Sequence, residues 1–201
     1  MEEKGDIRNP LKAYMGGPWA LIFMAAASII GVVLMLARRK RRRALAPDPV
    51  VEIDLERYEG LWYEIARIPT QNNLDCIGNT VVYTLKGDRF RVLHHCFVGS
   101  FDGPQRTVKG VLWPVDPAVD GRMKVRLGWN ISSDYWIVDK DEEYNWTVIL
   151  GPDSMRMRIL SRQAVMPEGQ YREILRGLRE RGVDTSKLVP TPQPDIEPGQ
   201  L

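Results

Sequence analysis

The chain has 201 residues, 44% of them hydrophobic and 27% charged, with a formal net charge of +2; that is room for one good-sized core and too little for several large domains. The charge is unevenly divided, because residues 1–45 carry nine Lys and Arg against three acids while the remainder carries nineteen against twenty-three. The basic surplus belongs to the N-terminus, which excludes general basicity as grounds for a nucleic-acid-binding domain.

After an N-terminal tail of residues 1–17, Pro18 to Ala37 is twenty residues without a charge. As a helix at about 1.5 Å per residue it spans about 30 Å, the thickness of bilayer hydrocarbon, and we read it as a transmembrane helix. Six consecutive basic residues, Arg38 to Arg43, follow at once. Beside a membrane helix such a run orients the span and holds anionic headgroups, so the nuclear-targeting or nucleic-acid reading of the run is set aside. The positive-inside rule then places the C-terminal domain on the cytoplasmic side. Ala44-Leu45-Ala46 looks like a cleavage site but lies behind the basic run, and no Cys near the span offers a lipid attachment point. The expected anchor is therefore the uncleaved helix itself. Residues 38–53 form a basic linker whose prolines, Pro47 and Pro49, favour extended backbone.

Residues 54–193 read as the folded domain. A helical turn over Asp54 to Tyr58 runs through Gly60 into the aromatic-rich strand Trp62 to Ile68. Further runs rich in Val, Ile, Tyr and Trp predict strands at Asn79 to Leu85, Arg89 to Phe97, Arg106 to Trp113, Arg122 to Trp129, Tyr135 to Asp139, Trp146 to Leu150 and Met155 to Ser161. Eight antiparallel strands suffice to close a barrel with room for one small ligand. In Arg122 to Trp129 the apolar residues Met123, Val125, Leu127 and Trp129 share one parity, and Met155, Met157 and Ile159 share one in the last strand. Cys76 and Cys96 flank the Lys86-Gly87-Asp88 hairpin, at its open end. A cross-strand disulfide is geometrically allowed, which would imply an oxidising compartment such as the periplasm; the alternative is a pair of small buried hydrophobes. After Pro167, the residues Tyr171, Ile174, Leu175 and Leu178 make one stripe of an amphipathic helix packing outside the sheet, with Gly182 as its stop. Thr185 to Val189 is expected to return as a short edge strand, and the Pro-rich residues 194–201 are expected to be a disordered tail.

Three separated motifs resemble the lipocalin family, most closely its bacterial lipocalin and apolipoprotein D-like branch: Gly60-x-Trp62-Tyr63-Glu64-Ile65-Ala66-Arg67, Asp134-Tyr135-Trp136-Ile137-Val138-Asp139 and Ile159-Leu160-Ser161-Arg162. The resemblance implies an all-β fold, an eight-stranded antiparallel up-and-down lipocalin barrel with a C-terminal α-helix, here preceded by one transmembrane helix. It implies that Trp62 closes the base of the barrel under the Arg162 guanidinium, with Gly60 and Tyr63 completing the structural motif. It also implies that ligand contacts come from inward-pointing strand residues and from loops at the mouth.

Counting by twos from Trp62 puts Glu64 and Ala66 on the interior side. Glu64 in an apolar barrel either meets an internal arginine or reads a polar ligand head. Trp113, Trp129, Tyr135 and Trp136 are the aromatic candidates for cavity or rim, with core packing as the competing role. His94 and His95 are neighbours on one strand and point to opposite faces, so no metal site is expected. No nucleophile–base pair or nucleotide-binding motif appears, so neither catalysis nor a cofactor is expected. Asn130-Ile131-Ser132 and Asn145-Trp146-Thr147 match a glycosylation pattern, but the chain reads as bacterial and both are taken as coincidence. The expected function is a single-pass, membrane-tethered carrier of a small hydrophobic ligand, such as a fatty acid or lysophospholipid, in the bacterial cell envelope. The alternatives are a lipocalin-fold enzyme acting on a lipophilic substrate and a non-binding scaffold.

Overall fold

In the computed structural model of the chain the described residues are 35–36, 48–49, 52–71, 73–115, 121–129, 132–151 and 156–194. Met35 and Leu36 are helical. The rest of the predicted span, the N-terminal tail, the basic run 38–43 and residues 195–201 lie outside the described residues. No helix among the described residues is long and apolar enough to cross a membrane.

The domain opens with a single helical turn, α1 (Leu55–Tyr58), started by Asp54, whose Oδ1 accepts from the backbone N–H groups of Glu56 and Arg57 at 2.9 and 3.1 Å. Gly60 follows at φ +105°, and a Cβ there would lie 3.2 Å from Arg162 Nη1; glycine is required by both conformation and space. The strands are β1 (Gly60–Arg67), β2 (Cys76–Lys86), β3 (Arg89–Val98), β4 (Gln105–Pro114), β5 (Arg122–Leu127), β6 (Ser133–Lys140), β7 (Trp146–Leu150) and β8 (Met157–Ser161). Each pairs antiparallel with the next, and β1 pairs with both β8 and β2, so the eight close into a barrel.

The barrel interior holds one apolar cluster, which includes Trp62, Tyr83, Phe90, Leu112, Met123 and Ile137. A second cluster lies on the outer face of β1 and β6 to β8, under the helix α2 (Glu168–Glu180), whose Ile174 and Leu178 are buried there. Tyr171 and Leu175 complete the apolar stripe. The helix ends as predicted at Gly182, φ +79°, with Val183 N–H donating to Leu178 O at 3.0 Å and Gly182 N–H to Arg179 O at 2.9 Å, a Schellman cap.

The chain then returns to the barrel. A two-residue strand, β9 (Val189–Pro190), pairs with Arg67 and Ala66 on the edge of β1 whose first half pairs with β2. Beyond it Thr191 N–H donates to Ile65 O at 2.9 Å, and Gly78 N–H donates to Pro192 O at 2.8 Å. The C-terminal segment thus bridges β1 and β2 where those two strands part. Cys76 and Cys96 are bonded, with Cα atoms 5.5 Å apart. Cys76 pairs with Val98, so the bond runs diagonally across the ladder, past an irregularity between Ile77 and Thr80.

Two expectations of parity differ from the structure. β5 stops at Leu127 and Gly128 turns away at φ +58°, leaving Trp129 fully exposed in the loop beyond. In β8, Met157 and Ile159 face the helix while Leu160 faces the interior, so both parities are buried and apolar alternation alone could not say which one looks inward.

Candidate functional site

The closed end of the barrel is built from the first and last motifs. Trp62 lies in the interior with its indole N–H donating to Tyr58 O at 3.0 Å. The Arg162 guanidinium carbon sits 3.8 Å from the Trp62 ring centroid. Its N–H groups donate to Leu61 O at 2.9 Å, Arg57 O at 2.7 Å, Glu59 O at 2.8 Å and Tyr144 O at 3.3 Å. One side chain therefore ties α1, β1, the β6–β7 turn and the end of β8 together, with a cation–π term of about 0.5–2 kcal/mol.

Above this plug the lower half of the barrel is filled. The hydroxyls of Tyr58 and Tyr135 share a hydrogen bond of 3.0 Å, and those of Tyr83 and Tyr135 one of 2.6 Å. Burial pushes the Tyr83 phenol up to about 12 and raises Tyr58 and Tyr135 as well. The three phenols satisfy one another, which is the condition for burying them at little cost.

The open half encloses a cavity of about 240 Å³. Val108, Leu127 and the disulfide supply apolar wall, while Glu64, Asn79, His94 and Arg158 supply polar wall. Glu64 is almost fully buried and fully engaged. Its Oε1 accepts from Arg67 Nη1 at 2.8 Å, Asn79 Nδ2 at 2.6 Å and Thr191 Oγ1 at 3.1 Å, and its Oε2 faces Arg158 Nε at 3.3 Å. Arg67 also donates through Nη2 to Asn73 O at 2.8 Å and Cys76 O at 2.7 Å. Gln193 Nε2 donates to Glu64 O at 2.8 Å and Asn79 O at 3.1 Å, fastening the C-terminal segment to the same network. His94 borders the cavity, and burial, with Arg158 nearby, holds its pKa down at about 3. At the rim Arg106 is bound by Asp75 through two bonds of 3.1 and 2.9 Å, which keeps the Asp75 carboxyl below its ordinary range. Among the described residues no group of three His, Cys, Asp or Glu is placed to hold a metal ion.

Of the six ligand-contact candidates read from the sequence, Glu64 is the one that lines the cavity, and it meets internal arginines. Ala66 does not face the interior: a bulge between Glu64 and Ala66 resets the alternation, so Ala66 packs under the helix and Arg67 turns inward in its place. Tyr135 is interior but belongs to the filled base, and its neighbour Trp136 packs in the helix-side cluster. Trp113 has the parity opposite to the buried Leu112 and so lies on the outer surface of the sheet. Trp129 stands exposed in the β5–β6 loop at the mouth, a rim position and not a cavity one. Arg67, Asn79, His94 and Arg158 were missed. Arg67 required the bulge to be seen, whereas Arg158 was visible in the sequence as the charged member of the β8 alternation.

The chain matches the family model described as a lipocalin-like domain over residues 53–193. It is 32% identical over 164 residues to temperature-induced lipocalin-1 of Arabidopsis thaliana, covering 75% of this chain and 85% of that protein. It is 27% identical over 143 residues to the outer membrane lipoprotein Blc of Vibrio cholerae, covering 70% of this chain and 83% of that one. Among solved structures, insecticyanin from the tobacco hornworm Manduca sexta aligns with a TM-score of 0.59 at 19% identity, covering 76% of this chain and 86% of that chain. Lobster apocrustacyanin A1 aligns with a TM-score of 0.57 at 17% identity, covering 73% of this chain and 90% of that chain. At such identities the two structures speak for the fold.

Proposed function

Since this chain belongs to the lipocalin family, we propose that it is a membrane-tethered carrier that binds a small hydrophobic molecule, a fatty acid, lysophospholipid or similar lipid, for storage or transfer at the membrane. The observation that carries the reading is the cavity of about 240 Å³ in the open half of a barrel whose other end is sealed by Trp62 and Arg162. Apolar wall supplies affinity at about 25 cal/mol per Å² buried, and a few polar groups fix orientation. Tethering through residues 18–37, with the basic run 38–43 on anionic headgroups, would hold the carrier where its ligand is concentrated. The named outer membrane lipoproteins among its relatives support an envelope location, and the Cys76–Cys96 disulfide supports an oxidising compartment over the cytoplasmic side that the charge pattern favours.

The test is native mass spectrometry with lipid extraction on the full chain, followed by displacement of a fluorescent apolar probe. Stoichiometric co-purifying lipid that the probe displaces is the expected result. A barrel that is empty and ignores every apolar probe would move the function to contacts on its outer surface.

A further inference from the structure

The barrel has two unlike flanks. Helix α2 covers the outer face of β1 and β6 to β8, whereas the outward residues of β3, β4 and β5 are exposed or half-buried. On these three strands the inward parity holds Phe90, Val92, Leu112 and Met123. The outward parity therefore carries six cations, Arg89, Arg91, Lys109, Arg122, Lys124 and Arg126, interleaved with Leu93, Val111 and Trp113. Register sets them side by side: Arg91 and Arg126 flank Val111, Leu93 pairs with Lys109, and Trp113 pairs with Lys124. Asp88 meets Arg89 at 3.2 Å and Asp134 meets Lys124 at 3.4 Å. Arg91, Lys109 and Arg126 are exposed and have no acidic partner among the described residues.

Composition does not account for this face, because residues 46–201 carry nineteen Lys and Arg against twenty-three acids. Cations on neighbouring strands repel one another, and an anionic counter-surface relieves that cost. Two features select a lipid surface over an acidic protein or a nucleic acid. The cations alternate with apolar side chains, one of which, Leu93, is 39% exposed; a headgroup layer over hydrocarbon accepts both at once, the charges on phosphates and the apolar stems beneath. In addition, the fully exposed Trp129 follows Gly128, whose N–H donates to Lys109 O at 2.8 Å, so an indole stands at the mouth end of the same face. Indole rings concentrate at the membrane–water interface.

We propose that the barrel docks side-on to an anionic bilayer surface through the outer face of β3 to β5, with Arg91, Lys109 and Arg126 on phosphate-bearing headgroups and Trp129 at the interface beside them. The inference rests on the membrane placement proposed above and adds which face of the barrel meets the bilayer. Docked in this way, the barrel axis lies along the membrane, α2 is on the far side, and the mouth opens at the level of the headgroups.

The experiment reconstitutes the full chain into vesicles of phosphatidylcholine, alone or with about 30% phosphatidylglycerol, and reads lysine acetylation by an impermeant reagent, residue by residue, by mass spectrometry. In the anionic vesicles Lys109 is expected to react at least about fivefold more slowly than in the neutral ones, while the exposed Lys187 beyond α2 reacts equally in both. About 0.5 M sodium chloride should restore the reactivity of Lys109. These readouts use the unaltered protein. Arg91→Gln with Arg126→Gln should abolish the protection, and Arg172→Gln with Arg176→Gln, which removes the same charge from the exposed side of α2, should preserve it. Equal reactivity of Lys109 in the two vesicles, or equal protection of Lys109 and Lys187, would overturn the docking face. Protection of Lys109 by polyglutamate or single-stranded RNA where vesicles give none would overturn the lipid assignment. Carbonate extraction of the same vesicles reads the tether separately. A chain that stays bound with Lys109 unprotected keeps the tether and loses the docking face, whereas an extracted chain whose Lys109 the vesicles protect does the reverse.

Discussion

Glu64→Gln is the substitution that most directly interrogates the interior. Oε1 of Glu64 accepts three hydrogen bonds of 2.6–3.1 Å and Oε2 faces Arg158 Nε at 3.3 Å. Glutamine keeps one acceptor oxygen, but it removes the charge and turns an NH₂ group toward Arg158. That leaves Arg67, with 8% of its side chain exposed, and Arg158, with 31%, as two cations without a counter-charge. Breaking a fully buried pair costs about 3–5 kcal/mol. Arg67 retains the Asn73 and Cys76 carbonyls and Arg158 reaches solvent, so the expected loss is at the lower end, about 2–4 kcal/mol. Replacing both partners, Glu64→Leu with Arg67→Met, removes the more deeply buried of the two stranded charges and leaves only the partly exposed Arg158, so it should cost less than Glu64→Gln alone. The assay is urea unfolding of the full chain followed by tryptophan fluorescence, arranged as a double-mutant cycle, in which the Glu64–Arg67 coupling should be roughly 2 kcal/mol. A coupling below about 0.5 kcal/mol, in the range of exposed ion pairs, would refute the claim that these groups form a buried, mutually dependent network.

Arg162→Ala should destabilise by about 2–4 kcal/mol, the sum of a cation–π contact and carbonyls left without a charged donor, whereas Arg162→Lys should recover part of that; an unchanged unfolding midpoint in Arg162→Ala would contradict the plug. Reduction of the Cys76–Cys96 bond, which spans 20 residues, should cost about 3 kcal/mol on the chain-entropy account, read as a lower urea midpoint in dithiothreitol that Cys76→Ser with Cys96→Ser reproduces without reductant. His94 has a folded-state pKa of about 3 against an ordinary 6.5, so as pH falls below about 6.5 the unfolded chain takes the proton first and stability drops until about pH 3, by up to about 1.4 kcal/mol per unit. His94→Gln should flatten that slope between pH 6.5 and 4.5, above the carboxylate range, and an unaltered slope would place the responsible group elsewhere.

The barrel was legible because its strands obey a period of two. Met123 and Leu127 alternate against Arg122, Lys124 and Arg126, and the structure keeps that division through Leu127. The failures share one physical origin, which is that period-two counting assumes an unbroken strand with one wet face. β1 carries a bulge after Glu64, so Ala66 and Arg67 exchange the faces that counting assigns them. β8 has no wet face in its apolar stretch, because Ile159 is covered by the helix and Leu160 by the barrel interior. Gly128 ends β5 before Trp129, and a glycine inside an apolar run was the available sign of that break. The site was harder to see than the fold, because Arg67, Asn79 and Thr191 meet Glu64 only through barrel closure and the return of the C-terminal segment.

The most direct measurement is apolar-probe affinity in the full chain and in Val108→Trp, which places an indole in the open-half cavity that Val108 lines. Stoichiometric binding in the unaltered chain, lost by at least about tenfold in Val108→Trp while circular dichroism is retained, is the result expected of a ligand carried inside the barrel. Undiminished binding in Val108→Trp, or no binding by either protein, would contradict it.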